Sequence, residues 1–301
     1  MSSKVQVTPN GPQLSLGEGP HWDEKTKTLY YVDIVESAIH RYVPHKMNIV
    51  IANSKARKTV SFVVPVEGKE DSEFVVGLER DVVHVVWDLK SNKPTATKVL
   101  CSAEEDRGRN RLNDGKVDPT GRLWAGKSNL YFSISSMNNQ AFIRYYLIES
   151  TNCHLQRTRV ESRSHEFYYI DSFKFKVQAY DYDKSSGTIS KTVFDFKANN
   201  VEGFPDGMTI DSEGKLWVAV YSGAKVIRVD PDTGKLLYTL PIPSWEVTSV
   251  VFGGPNLDEL YVTSANQFKN NPKDKYPQPG QTFKVTNLGV KGTPSVSIKL
   301  N

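Results

Sequence analysis

The sequence predicts an all-β fold, a six-bladed β-propeller with four-stranded antiparallel blades, built as one domain over residues 1–301. Three observations predict it. A short apolar-aromatic core recurs six times, as Leu29-Tyr30-Tyr31-Val32, Phe74-Val75-Val76-Gly77, Leu123-Trp124-Ala125-Gly126, Phe167-Tyr168-Tyr169-Ile170, Leu216-Trp217-Val218-Ala219 and Leu260-Tyr261-Val262-Thr263. The second residues of these cores fall at 30, 75, 124, 168, 217 and 261, in steps of 45, 49, 44, 49 and 44. A near-constant period of that size, with one antiparallel unit per repeat, is the mark of a propeller. Finally, no stretch carries the pattern of a long amphipathic helix. A β-sandwich is the alternative, but it does not explain equal steps.

Each repeat reads alike. A turn containing Asp, Gly or Asn precedes the core, as in Asp23-Glu24-Lys25-Thr26, Asp118-Pro119-Thr120-Gly121, Asp211-Ser212-Glu213-Gly214 and Gly254-Pro255-Asn256-Leu257-Asp258. A second strand pattern follows, over residues 39–42, 82–87, 177–182 and 226–229. Short β-branched and aromatic runs bounded by turn residues form antiparallel strands. The stretch from Asn266 to Gly280, rich in Lys, Asn and Pro, reads as a loop before a last strand, Thr282-Phe283-Lys284-Val285, that helps close the ring.

Bulk properties narrow the function. The chain is 38% hydrophobic and 24% charged, with a net charge of +4. Its Lys and Arg are scattered, where a nucleic-acid footprint requires clustering on one face. No run of 18 apolar residues occurs, so no membrane-spanning helix is expected. The opening Met1-Ser2-Ser3-Lys4-Val5-Gln6 has no apolar signal core. Two cysteines, Cys101 and Cys153, make no disulfide framework, and reduced thiols in a cytoplasmic protein are expected. His21, His40, His84, His154 and His165 have no metal-ligand spacing and read as structural or surface residues. No Gly-rich phosphate loop precedes a helix, and no serine nucleophile elbow occurs.

Three polar segments remain: Gly17-Glu18-Gly19-Pro20, Arg111-Leu112-Asn113-Asp114-Gly115-Lys116 and Gly203-Phe204-Pro205-Asp206-Gly207. Each reads as a turn that presents its polar side chain just ahead of a strand-like run, since Pro fixes the entry and Gly permits the exit. In a propeller, loops from every blade converge at one end of the channel. Glu18, Asn113 and Asp206 would then meet there as hard oxygen donors suited to one divalent cation, Ca²⁺, Mg²⁺ or Mn²⁺, with Zn²⁺ less favoured. The structural reading of the Asp and Asn is that of ordinary turn formers, whereas Glu has little use in turns.

At these same residues the chain resembles the senescence-marker-protein/regucalcin/gluconolactonase family, which includes the insect luciferin-regenerating proteins. The resemblance is carried by Leu16 to Trp22, Asn110 to Gly121, Pro205 to Ala219 and Leu288 to Gly292, and spans residues 14–126 and 166–300. It implies a six-bladed propeller whose divalent metal is held by a Glu, an Asn and an Asp. It assigns Glu18 and Asp206 to the metal, Asp206 also to general acid/base work, and Arg111 and Asn113 to substrate. The implied reaction is hydrolysis of a sugar lactone or related ester; the alternative is a non-catalytic calcium-binding or regulatory protein with an incomplete metal site. The implied partner is a small molecule, with no nucleic acid and no membrane.

The chain departs from this pattern over residues 127–165. The family's metal-binding Asn lies in a Ser-Asn-Gly-Leu-x-Trp-Ser motif, and the corresponding place here reads Leu155-Gln156-Arg157-Thr158-Arg159-Val160-Glu161-Ser162-Arg163-Ser164. Permitted codons for Leu155 to Arg163, read one base later, encode Ser-Asn-Gly-Leu-Ala-Trp-Ser-Pro-Asp. The sequence therefore predicts a frame-shifted segment there, and with it a site that has two of its three protein ligands. Gln156 is the nearest amide oxygen in that segment.

Overall fold

The computed structural model describes residues 2–8, 11–44, 49–51, 59–88, 90–91, 93–102, 110–118, 123–129, 144–147, 166–181, 189–268 and 271–300. Within them the chain is all-β; a single 3-10 turn, Ser172–Lys174, is the one helical element among the described residues. No helix among them is long and apolar enough to cross a membrane.

The strands follow the predicted repeat. After β1 (Lys4–Val7) comes a sheet of β2 (Gly17–Asp23), β3 (Thr28–Asp33), β4 (Ala38–Tyr42) and β5 (Ile49–Ile51). A second holds β6 (Val60–Pro65), β7 (Glu73–Leu78), β8 (Asp81–Val86) and β9 (Ala96–Ser102). Two sheets show three strands each: β10 (Asn110–Val117), β11 (Leu123–Asn129) and β12 (Arg144–Leu147), then β13 (Glu166–Asp171), β14 (Lys176–Asp181) and β15 (Ile189–Asp195). The fifth holds β16 (Phe204–Ile210), β17 (Leu216–Tyr221), β18 (Lys225–Asp230) and β19 (Lys235–Pro241). In the last, β20 (Glu246–Gly253), β21 (Glu259–Ala265) and β22 (Phe283–Thr286) are completed by β1, in the order β1-β22-β21-β20. All pairings are antiparallel, as a chain of short turns allows.

The predicted last strand is β22, and the N-terminal strand that zips onto it was not foreseen. Lys4-Val5-Gln6-Val7 is too short to announce itself, and its partner Phe283–Thr286 lies almost the whole chain away. The recurrent cores fall on β3, β7, β11, β17 and β21, the second strand of their sheets, but the Tyr168 core falls on β13, the first described strand of its sheet. Packing agrees with the cores. β3 lies on β6, β7 on β10, β17 on β20 and β21 on β2, so in these four sheets the second strand abuts the next sheet's first strand; β13 abuts β16 in the same manner. The strand expected ahead of β13 falls within 151–165, outside the described residues, as does Gln156. Of the atypical segment 127–165, only 127–129 and 144–147 are described.

The core lies between successive sheets. Trp22, Tyr30, Tyr31, Phe74, Trp217 and Tyr261 are wholly buried, each worth about 1.5–3 kcal/mol or more in removed apolar surface. The predicted Asp turns are staples for this packing. Asp211 accepts from the Glu213 and Lys215 amides, both at 2.9 Å, from Trp217 Nε1 at 2.9 Å and from Arg228 Nε at 2.8 Å. Asp118 receives Trp124 Nε1 at 2.7 Å, repeating the device two sheets earlier.

Candidate functional site

The site is built from β-bulges. Five first strands break register at one place: β2 between Glu18 and His21, β6 between Val60 and Val63, β10 between Leu112 and Gly115, β16 between Pro205 and Met208, and β20 between Val247 and Ser249. A bulge leaves a residue unpaired and re-aims its side chain. Glu18 sits at the edge of one bulge, Asn113 and Asp114 within another and Asp206 within a third. This corrects the expected local structure: Glu18, Asn113 and Asp206 are strand residues, not turn residues ahead of a strand. The error has a physical source, since Gly and Pro flank turns and bulges alike. Gly207 shows the requirement: a Cβ there would lie 2.1 Å from Ser249 Oγ on the neighbouring β20.

The acids are coupled. Burial, then the charges of Asp206 and Asp114, push the Glu18 carboxyl well above the usual carboxylate range, against the opposing Gly19 amide and Arg111. Burial and Asp114 likewise push Asp206 up. Both Glu18 and Asp114 bond the amide of the following glycine, at 3.1 and 2.8 Å. Asp114 lies beyond the site residues the sequence predicts; the acid-Gly pair shared by Glu18-Gly19, Asp114-Gly115 and Asp206-Gly207 is the signal that marks it.

Two cations answer these acids. Arg111 Nη1 donates at 2.9 Å both to the Leu112 carbonyl and to Asn113 Oδ1, so the two predicted substrate residues hold each other. Burial pulls the Arg111 guanidinium down, and the charges of Glu18 and Glu79 support it. Lys116 Nζ reaches from β10 to the Met208 carbonyl of β16 at 2.5 Å. Lys116 keeps solvent contact, and the charges of Asp114 and Glu18 support its ammonium against the desolvation that pulls it down. Burial and Lys116 hold His21 down at about 3, so that imidazole is neutral.

The remaining neighbour is Tyr221. Its hydroxyl donates to Glu246 at 2.8 Å, and burial, Glu246, Asp206 and Glu18 together keep its phenol protonated. Nothing in the sequence flags it, because Tyr221 lies outside the polar motifs and meets them only through strand pairing.

The donor set suits a hard divalent cation in kind and in charge: buried carboxylates that repel one another would be relieved by it. In number it falls short. Among the described residues, no group of three or more His, Cys, Asp or Glu side chains is arranged to hold a metal. Asn113 Oδ1, the expected amide donor, is engaged by Arg111.

A model of the SMP-30/gluconolactonase/LRE-like region matches residues 16–266. The chain is 37% identical over 289 residues to regucalcin of Xenopus laevis, covering 92% of each chain, and 35% identical over 289 residues to that of Homo sapiens, again 92% of each. A solved luciferin-regenerating enzyme matches with a TM-score of 0.86 at 40% identity, over 99% of this chain and 100% of that one. A calcium-binding protein, regucalcin, from Agrobacterium tumefaciens matches with a TM-score of 0.73 at 20% identity, over 96% and 95% of the two chains, a likeness of fold alone. With most of its length matched by both the family model and the curated relatives, the chain belongs to the SMP-30/gluconolactonase/LRE-like family.

Proposed function

We propose that the protein is a divalent-metal-dependent hydrolase of sugar lactones or related esters, acting at one mouth of a six-bladed propeller formed by a single domain over residues 1–301. The observation that carries it is the buried Glu18 and half-buried Asp206, which repel one another, beside the Arg111–Asn113 hydrogen bond. Six sheets, four of which abut the next through a second and a first strand, support the ring. The Thr248 hydroxyl donates at 2.6 Å to the Gly17 carbonyl and ties the last sheet to the first. Membership of a family named in part for gluconolactonase supports the reaction class.

In this reading Glu18 and Asp206 hold the cation, Ca²⁺, Mg²⁺, Mn²⁺ or Zn²⁺, which when bound supplies polarisation of the scissile carbonyl. Asp206 takes a proton from the attacking water at a carboxylate oxygen. The water oxygen bonds to the acyl carbon, the acyl C–O bond breaks, and the proton passes to the departing alkoxide. Arg111, steadied by Asn113, offers its remaining N–H groups to substrate hydroxyls and to the carboxylate formed. The reading includes a cytoplasmic location and neither a nucleic-acid nor a membrane partner, in keeping with scattered Lys and Arg and a net charge of +4.

The test is hydrolysis of δ-gluconolactone with and without a chelator, on wild type and Asp206→Asn. Expected are metal-restored turnover and a loss of about 10²- to 10⁴-fold in the variant; turnover indifferent to both changes would remove Asp206 and the cation from the mechanism. A second reading, supported by the regucalcin relatives, is a non-catalytic calcium-binding or regulatory protein with an incomplete metal site. It predicts calorimetric Ca²⁺ binding, lost in Asp206→Asn, with no turnover of any lactone.

A further inference from the structure

Beside the acidic centre lies an apolar feature that the lactone reading does not use. β16 begins at Phe204 and β17 ends at its cross-strand partner Tyr221; residues opposite each other share one face of a sheet. At the same end of the neighbouring sheet, Trp245 precedes β20, and Phe268 follows β21. The Phe268 ring lies between Tyr221 and Trp245, with centroids 6.0 and 5.5 Å away and planes tilted 55° and 51°. All three rings are half-buried. Phe204 continues the aromatic edge towards Phe173, which is 42% exposed.

We propose that Tyr221, Phe268 and Trp245 form a subsite for an aromatic ring carried by the substrate, next to the carbonyl presented to Asp206. The inference rests on the hydrolase reading only for the identity of the reacting group. Tyr221 pairs with Phe204 at the start of β16, the end of that strand that carries Asp206, so the trio and this acid lie at one end of the sheet.

Two features select an aromatic ring over a polyhydroxylated one. First, the one hydroxyl among the three rings is already engaged. The Tyr221 hydroxyl goes to Glu246, whose oxygens also accept from the Gln267 amide at 3.0 Å, the Phe268 amide at 3.5 Å and Asn271 Nδ2 at 3.5 Å. Sugar hydroxyls laid over the ring faces would meet carbon, and unpaired polar groups are costly to bury. Second, rings tilted by about 50° to one another offer both a face and an edge, the geometry that aromatic pairs prefer. Glu246 acts as a positioning residue: wholly buried, it fixes the Tyr221 hydroxyl and the backbone that carries Phe268.

The experiment compares dihydrocoumarin, an aromatic lactone, with δ-gluconolactone on wild type, Phe268→Ala and Trp245→Phe. Expected is a rise of about threefold to tenfold in KM for dihydrocoumarin in Phe268→Ala, with kcat within about twofold. The gluconolactone KM should not move in Phe268→Ala. Equal changes for both lactones, or none, overturn the subsite. A binding measurement separates this from failure of the hydrolase reading. The Trp245 fluorescence, taken as the difference between wild type and Trp245→Phe, should be quenched saturably by 3-phenylpropionate and not by gluconate. Quenching without turnover of either lactone keeps the subsite and removes the hydrolase; no quenching by 3-phenylpropionate overturns the subsite. Should Phe268→Ala not fold, the same difference measurement on the wild-type background decides alone.

Discussion

Glu18 is held in a state that opposes folding. Burial and two neighbouring carboxylates disfavour its charge, so the native chain carries a repulsion that the unfolded chain does not. Glu18→Gln removes it. The expected outcome in metal-free buffer is a more stable protein, by roughly 0.5–2 kcal/mol, with lactone turnover and cation-induced stabilisation lost; thermal melts with and without Ca²⁺ check this. His40 makes the opposite pH argument. Stacked on Tyr31 with both ring nitrogens lacking a hydrogen-bond partner, it is lowered by burial from 6.5 to about 4. The unfolded chain therefore binds the extra proton between those values. The His40 contribution is complete above the unfolded value and is lost as pH falls towards the folded one, at up to about 1.4 kcal/mol per pH unit. Urea midpoints at pH 7 and pH 5 should fall in wild type, and by less in His40→Phe; equal pH slopes would sink the assignment.

Among the elements, the bulge and the Asp staple divide the labour. Bulges in the first strands turn Asn113 and Asp206 off the ladder and begin directly after Glu18, while Asp211 anchors the turn that follows β16 to β17 and β18. Asp211→Ala would strip the Trp217 indole and two backbone amides of their acceptor and leave Arg228 only Glu213. A loss of about 2–3 kcal/mol is expected from chemical denaturation, because the Trp217 indole stays buried without its acceptor. Activity per folded molecule should hold, since the staple lies at the far end of β16 from Asp206. At this scale the sequence was readable in type and less so in position. The strand cores and Asp turns were legible because period and turn chemistry are local. The bulges were not, because Gly and Pro mark a turn and a bulge in the same way.

Across the whole molecule, the ends meet. β1 completes the last sheet against β22, with Val5 and Val7 packed on its core, and the Thr8 amide bonds the Thr282 carbonyl at 2.8 Å. Deleting residues 2–8 would expose the β22 edge and should cost about 2 kcal/mol or more, with a lower melting temperature and a greater tendency to self-associate. An unchanged melt would mean that closure does not depend on this strand. The Thr248–Gly17 bond would then carry it.

The sequence by itself determined the all-β class, the repeat period, the family and four of the polar residues that gather here, because each is written in local composition or in a short motif. The partners of those residues were decided only by the tertiary structure. Asp114 was printed inside a recognised motif, yet its force on Glu18 and Asp206 depends on three bulges meeting in space. Lys116 crosses between β10 and β16, and Tyr221 joins the site through its pairing with Phe204. A field between charges depends on distance and burial, and neither is fixed until strands far apart in the chain are side by side.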